Sequence, residues 1–565
     1  MTDARNDMLK HLTLLLVVVI PLFSLGVSNH GLWTADEPRV AEIGREMAET
    51  GNWAVPTLNR KPFLEEPPLY YGALAFTFKT LGVSDKTARI PSAVFSFASV
   101  LVVFFTANLL FGSRVALLSG LILATTGEFF RVAHWVIVDG ALAFFIMSAM
   151  GLFITGYLSE NKKKKLISYV LLYVSCTFAF YTKGFIGIVI PGLTILVFLA
   201  VERNLRELLK MRMWLGALIF ITMTLPWFIA LWQQAGAEYL KVFFVHNHLQ
   251  RFLPAGMAGS ISGSVSGHHS PFYYYLTGFP TGFLPWSILL VPVFYYAFSK
   301  TGQSNTTDAA SPKGRLFAKC WFFSGIVFLS VASTKRTLYL MPIFAPMAML
   351  TAAYINSTMA SQGPNRIGKI FLWVFNVFLL IIGLALTPAY FSIKKVFLTG
   401  VSGNFFAAVL VVSILVTAIS IRGVWCLYHG NLKQYWISIN LSIIVVLLFA
   451  LTAIVPILDG HKSFVPFTSQ VIANVQDNQP LYAYQPDETL RGAVPFYTKR
   501  YAVEIEELGD DLLKREAPFF IMIRDKRNEM EKKLLSTGKF SILVKHEMGT
   551  DRALVLLSKK QYRQP

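Results

Sequence analysis

Cysteine is nearly absent from this chain. Only Cys176, Cys320 and Cys426 occur in 565 residues, each in or beside an apolar run. Three isolated thiols without paired or C-x-x-C spacing offer no disulfide framework and no cysteine zinc spacing. Charge is scarce as well: 15% of residues are charged, and acids are the rarer sign, 32 Asp and Glu against 51 Lys and Arg. With 54% hydrophobic residues and a mean hydropathy of +0.52, an ordinary soluble protein is excluded. No P-loop is present and no GxGxxG follows a strand, so nothing points to a nucleotide pocket. No repeat period is visible, and the two halves carry no matching broken-helix segments of the inverted-repeat transporter kind.

What the chain has in abundance is long apolar runs. They lie near 12–29, 89–110, 114–131, 135–158, 166–182, 185–201, 213–231, 271–298, 317–333, 337–356, 369–392, 403–421 and 436–456. At about the length of a bilayer each, they predict about thirteen transmembrane helices. The first run is followed by no A-x-A-like cleavage site, which predicts an uncleaved span. Alternate connections are short and basic: Phe111–Arg114, NKKKKL (161–166), ERNLRELLKMR (202–212), 299–315, NRIGK (365–369) and 422–433. By the positive-inside rule these are cytoplasmic, together with an amino terminus holding Arg5 and Lys10. The net charge of +19 is therefore topological and dispersed, and predicts contact with membrane lipids, not with nucleic acid.

An odd number of crossings leaves the tail on the outer side. The reading divides the chain into a membrane domain, 1–456, and an external domain, 457–565, with outer loops at 30–88 and 232–270. In the tail LYAYQP, FFIMI, FSILV and ALVLL read as strands, and DDLLKRE and RNEMEKKLL as helices, making a small extracytoplasmic α/β domain. The fold class is thus an α-helical polytopic membrane protein with that appendage.

The same topology sorts the unusual ionisable residues to one face. Asp36, Glu37, Glu65 and Glu66 fall in the first outer loop, and Arg131, His134 and Asp139 around the next outer turn. Lys183 lies in the turn YTKGFIG. His246, His248, Arg251, His268 and His269 lie in a later outer loop, and Lys335 and Arg336 in STKRTLYLMP. Most have an ordinary structural explanation, whereas Asp139, near the outer start of a span, needs a partner. An acid before Pro38 caps a helix, EEPP makes a turn, and lysines at span ends snorkel. Val40, Ile43 and Met47 opposite Glu42, Arg45 and Glu49 predict an amphipathic helix lying on the membrane surface. Their gathering on one side favours a single outward site of acids, histidines and cations, since charge near a membrane interior is costly.

These segments, in this order, resemble the GT-C membrane glycosyltransferases that use polyprenyl-phosphate sugars. The carriers are DEPRVAEIGREMAETGNWAVPTLN, FLEEPPLYY, ARIPSA, the span with Asp139, YTKGFIGIVIP, LPWFIAL, HNHLQRF, PFYYYL with FLPW, and STKRTLYLMP. The likeness is greatest to the bacterial transferases that add aminoarabinose to lipid A, with protein O-mannosyltransferases as relatives. It implies that Asp36 and Asp139 are catalytic carboxylates and that Lys183 contacts the lipid phosphate; the charge of a departing phosphate makes Arg251, Lys335 and Arg336 further candidate phosphate cations. It also implies that Glu65 and His248 bind donor or a divalent metal ion; Glu37 and Glu66 are additional candidates. Glu66 stands where the family carries the lysine of E-K-P-P, and Asn247 where it carries an acid.

The implied reaction is an inverting single displacement on the outer face of a bacterial inner membrane. A sugar would leave a polyprenyl phosphate for lipid A or another envelope acceptor, with preorganised cations stabilising the departing phosphate and Asp36 as general base or orienting group. A protein O-glycosyltransferase using the same donor class is the alternative acceptor reading. A transporter or flippase is the alternative class, and it requires ionisable residues at mid-depth with access from both sides.

Overall fold

The computed structural model describes residues 2–249, 270–299, 312–360, 363–397, 403–507, 520–526, 529–548 and 552–559. Ten described helices are long and apolar enough to cross a membrane, or up to 12 if each of two bent pairs is one span; Ile186–Val201 is a shorter apolar helix. The expected apolar runs fall one each on these elements.

The amino-terminal part sets up the site. Its helices are α1 (Thr2–Ser24), α2 (Asp36–Thr50), α3 (Leu69–Leu81), α4 (Asp85–Phe111), α5 (Ser113–Ala124), α6 (Gly127–Ala133), α7 (Asp139–Leu158), α8 (Lys162–Lys183) and α9 (Ile186–Val201). Ser84 and Thr87 form a reciprocal capping box that starts α4. Asn161 caps α8 by accepting from the amides of Lys163 and Lys164 at 2.9 and 3.1 Å. Helices α7 and α8 therefore form a tight hairpin whose lysine-rich turn lies at the end away from Asp139 and Lys183. The helix Thr337–Ala360 runs through the middle of the bundle, buried along nearly its whole length.

Two spans are broken, and the breaks face each other. Helices α5 and α6 meet at 70°, and Tyr274–Gly282 meets Trp286–Phe298 at 114°. The Gly127 amide donates to the Leu284 carbonyl at 2.8 Å, and the Trp286 indole donates to Thr125 Oγ1 at 3.0 Å. Each bend thus supplies partners for polar groups that the other leaves open, the condition for irregular backbone inside a membrane protein.

The tail is a five-stranded sheet of order β4-β3-β5-β7-β6, formed by β3 (Leu481–Tyr484), β4 (Val503–Ile505), β5 (Phe520–Lys526), β6 (Phe540–Glu547) and β7 (Arg552–Lys559); a two-residue hairpin pair, β1 (Thr57–Leu58) and β2 (Lys61–Pro62), precedes it in the chain. Strands β4, β3 and β5 are parallel, whereas β5–β7 and β7–β6 are antiparallel. Alternation explains its uninterrupted apolar strands. Leu481, Ala483, Phe520, Met522, Leu554 and Leu556 pack under helices Val465–Asn474 and Glu488–Thr498, while Tyr482, Ile521, Ile523, Val555 and Leu557 pack under the helix Glu529–Ser536. All four expected strands and the RNEMEKKLL helix are present; DDLLKRE lies outside the described residues.

One expectation is corrected here. Helix α2 is present over the predicted stretch, but it does not lie on a surface with its polar side in water. Glu37, Glu42, Arg45 and Glu46 are buried along with Val40, Ile43 and Met47. Its apolar side packs on Tyr70, Tyr71 and Leu74 of α3, and the tail helix Glu488–Thr498 lies against its first turn. A two-sided burial is invisible to a pattern that scores only the apolar stripe.

Candidate functional site

The hairpin brings the first two groups together. Asp139 opens α7 and Lys183 closes α8, so a short connection at their other end makes them neighbours. Lys183 Nζ donates to Asp139 Oδ1 at 2.7 Å. Gly184, at φ +74, lets the chain turn away immediately after the lysine, a conformation that a Cβ would disfavour. The loop before α3 adds Glu66, whose Oε1 is 3.5 Å from the ammonium. The Tyr339 ring lies 4.7 Å from it on a further side.

The first turn of α2 and the segment before the central helix supply the second half. Arg336 donates to Asp36 Oδ2 at 2.6 Å, and Arg39 to Asp36 Oδ1 at 3.0 Å. Arg39 also pairs with Glu65 at 3.1 Å and with Glu488 of the tail. Asp36 and Lys183 lie close enough for the lysine's charge to act on the carboxylate. The cluster is thus two ion-pair groups side by side, Glu488–Arg39–Asp36–Arg336 with Glu65, and Glu66–Lys183–Asp139. Asp139 is almost wholly buried at 2% exposure, whereas the Arg336 and Glu65 side chains are about a third exposed.

Electrostatics separate the acids. Burial pushes the Asp36 carboxyl up, but the Arg336 hydrogen bond and the charges of Arg39, Arg336 and Lys183 outweigh it and hold the group below the ordinary carboxylate range. Glu66 goes the other way. Burial dominates, with Glu65 and Asp139 adding repulsion against the pull of Lys183, and the carboxyl is raised to about 7.

Other expected residues stand elsewhere. The Asp36–Glu37 pair does not cap α2: its N-cap is Ala35, and no side chain caps it. Glu37 is sequestered, taking the amides of Trp33 and Val136 at 2.6 and 3.1 Å and the Arg89 guanidinium at 3.3 Å. It holds the outer loop to α4 and to the turn before α7. Lys335 is buried, with its ammonium on the carbonyls of Ser270 and Ala332 at 2.9 and 2.5 Å, not on the acid cluster. Arg131 pairs with Glu128 on its own helix, and His134 bonds the carbonyls of Phe130 and Leu25. His246 and His248 sit in the helical turn Val242–Leu249, with side chains outside the described set. Arg251, His268 and His269 lie outside the described residues.

The metal expectation has one describable donor. Glu65 is engaged by Arg39, and among the described residues no group of three or more His, Cys, Asp or Glu converges as a cation site. The described donors do not fit a metal centre. Sequence reasoning missed Arg39, Tyr339 and Glu488. Arg39 stands three residues after Asp36, at ion-pairing distance on a helix, and Tyr339 lies within STKRTLYLMP. Glu488 gave no signal.

Comparison with known proteins returns this architecture. The solved structure of ArnT from Cupriavidus metallidurans bound to undecaprenyl phosphate superposes with a TM-score of 0.74 at 20% identity, over 96% of this chain and 97% of that one. The fold is the GT-C fold. Its apo form superposes with a TM-score of 0.73. A model of the dolichyl-phosphate-mannose-protein mannosyltransferase family matches residues 11–242, the part of the GT-C chain that carries Asp36 through Lys183. Curated sequences named undecaprenyl phosphate-alpha-4-amino-4-deoxy-L-arabinose arabinosyl transferase are similar too. The one from Pectobacterium atrosepticum is 29% identical over 374 residues, 66% of this chain and 64% of its own length. A second from Proteus mirabilis is 29% identical over 60% of this chain and 58% of its own length. The alignments thus span less than two thirds of these relatives.

Proposed function

We propose that this chain is an inverting glycosyltransferase that moves a sugar from a polyprenyl-phosphate donor to lipid A or another cell-envelope acceptor. It would work at the outer face of the bacterial inner membrane, with the tail domain periplasmic. The observation that carries this reading is the joining of Asp36, Asp139 and Lys183, from three separate segments, into one charged cluster at the end of the bundle away from the lysine-rich turn. The undecaprenyl phosphate in the structural relative supports a lipid-phosphate donor.

In this reading Lys183 and Arg336 hold the donor phosphate. The acceptor oxygen forms a bond to the anomeric carbon from one face, and the carbon–oxygen bond to phosphate breaks on the other. The lipid phosphate departs with the electron pair, stabilised by cations already in place. Glu66 makes room for that charge. With its carboxyl raised to about 7, it is protonated in a large share of molecules near neutrality, and Lys183 is then paired with one carboxylate, Asp139. An incoming phosphate therefore meets less repulsion than four acids would present.

Asp36 takes the acceptor proton where the acceptor is a hydroxyl. Held below the ordinary carboxylate range, it is a weak base. That favours an acceptor already ionised, such as a phosphate on lipid A, which needs orientation more than deprotonation. The match to protein mannosyltransferases supports a second acceptor, a protein hydroxyl.

The test is incubation of the purified chain with lipid A or acceptor protein and candidate polyprenyl-phosphate sugars, with products weighed by mass spectrometry. Sugar-bearing lipid A that disappears with Asp36→Asn supports the first acceptor; sugar on protein alone replaces it with the second. No transfer to either from any donor overturns the reading.

A further inference from the structure

The tail domain has no part in the mechanism above, yet it touches the site. Its helix Glu488–Thr498 is started by Asp487, whose Oδ1 accepts from the amides of Thr489 and Leu490 at 3.1 Å each. That cap fixes where Glu488 stands. The Glu488 carboxylate pairs with Arg39, the residue that also bonds Asp36. One turn further along the same face is Gly492. A Cβ built there would lie 2.6 Å from the Arg39 backbone nitrogen and 2.7 Å from its Cα, so the two helices meet backbone to backbone at the residue bearing the guanidinium.

The end of the last spanning helix and the tail grip the same short stretch together. Asp459 Oδ1 accepts from the Gly31 amide at 2.8 Å and from the Trp33 indole at 2.7 Å. The Tyr497 hydroxyl accepts from the Leu32 amide at 2.7 Å and donates to Asp85 at 2.6 Å. Residues 31–39 are therefore held by Asp459 near the end of the spanning helix Leu432–Lys462 and by Tyr497, Glu488 and Gly492 of the tail.

We infer that the tail domain is a working part of the site, and that Glu488 is a positioning residue which, through Arg39, sets the place of Asp36. The inference rests on the proposed function for its consequence in turnover, but its structural content stands without it. Arg39 is shared among Asp36, Glu65 and Glu488. Neutralising Glu488 leaves the guanidinium to the two remaining acids, and it is drawn toward them. The first turn of α2 then loses its outer tether, and the Asp36 carboxylate shifts against Arg336 and Lys183. Gly492 provides a steric route to the same displacement: a methyl there must push the Arg39 backbone away.

The experiment uses the full chain in detergent or lipid, with Glu488→Gln, Glu488→Asp and Gly492→Ala. Two measurements are made. One is transfer from a polyprenyl-phosphate sugar to lipid A, the other amide hydrogen exchange across residues 33–40. Glu488→Gln is expected to lower kcat about tenfold at unchanged donor KM, as small misplacement of a reacting group does. Glu488→Asp keeps the charge and recovers most of that loss. Both Glu488→Gln and Gly492→Ala are expected to speed exchange in the first turn of α2 while the transmembrane helices stay protected. Wild-type exchange at 33–40 in both variants overturns the inference, whether or not any donor is turned over. So does faster exchange spread evenly through the chain, or wild-type kcat alongside a loosened turn. A wild-type chain that transfers nothing sinks the proposed function alone, because the exchange measurement still decides the role of Glu488.

Discussion

Asp36 and Glu66 carry opposite electrostatic histories within one cluster, and this makes them separable by mutation. Asp36 is ringed by two guanidiniums and stays ionised; Asp36→Asn keeps its shape and removes its charge. Transfer is expected to fall by about 10²–10⁴-fold, the usual worth of a positioned acid–base group, with thermal stability near wild type, as a rate assay and a melting curve would show. Glu66 binds its proton more tightly in the folded protein than in the unfolded chain. The folded state therefore holds the extra proton between the ordinary Glu value and about 7, so the stability this group adds is full at low pH and fades as pH rises through that window. Donor affinity is expected to follow the same sign, tightening as pH drops through 7. Glu66→Gln is expected to bind donor more tightly and flatten that dependence, which titration of undecaprenyl phosphate binding against pH would check. Lys183→Ala is expected to raise the donor KM by about tenfold or more, since it removes a charge-assisted contact of roughly 1.5–3 kcal/mol.

Elements explain what could be read and what could not. Asp139 and Lys183 were legible because a charged residue at the end of an apolar run stands out, and hairpin topology then brings such ends together. The tail strands were legible because uninterrupted apolar stretches of strand length have few other uses. Helix α2 was legible as a helix but not in its burial, because its polar side is satisfied by residues far along the chain: Arg45 reaches Tyr501, and Arg39 reaches Glu488, 449 positions away. No local pattern encodes a partner at that separation. Arg89 shows the same limit. It is an arginine inside a spanning helix, fully buried, bonding the carbonyls of His30, Gly31 and His134 and the carboxylate of Glu37. Arg89→Met is expected to destabilise the protein by about 3–5 kcal/mol, because it strands a buried carboxylate and several carbonyls. Thermal unfolding of the variant in detergent would register the loss.

At the scale of the whole molecule, a membrane bundle and the tail domain meet over the segment that bears Asp36. Tyr497 sits at the middle of that seam. Tyr497→Phe leaves the Leu32 amide and the Asp85 carboxylate without their partner and is expected to cost about 1–3 kcal/mol. A lower melting temperature with faster proteolysis between the two parts would report it. The arrangement also argues against a transport route. The described ionisable cluster stands at one end of the bundle, while the buried acid Glu207 at the other end is tied to Lys165, Lys210 and Tyr169 at 2.7–2.8 Å. Between these ends the central helix is apolar and packed.

The facing breaks in the two bent spans have a mechanical corollary. Because Gly127 and Thr125 borrow their partners from Leu284 and Trp286, the two elbows are keyed together like the halves of a latch. Neither can swing alone without stranding a polar group in a greasy interior. In the proposed reading a long isoprenoid tail bound for the charged cluster would therefore slip in along some other seam of the bundle, leaving this corner as the fixed post against which the rest can give.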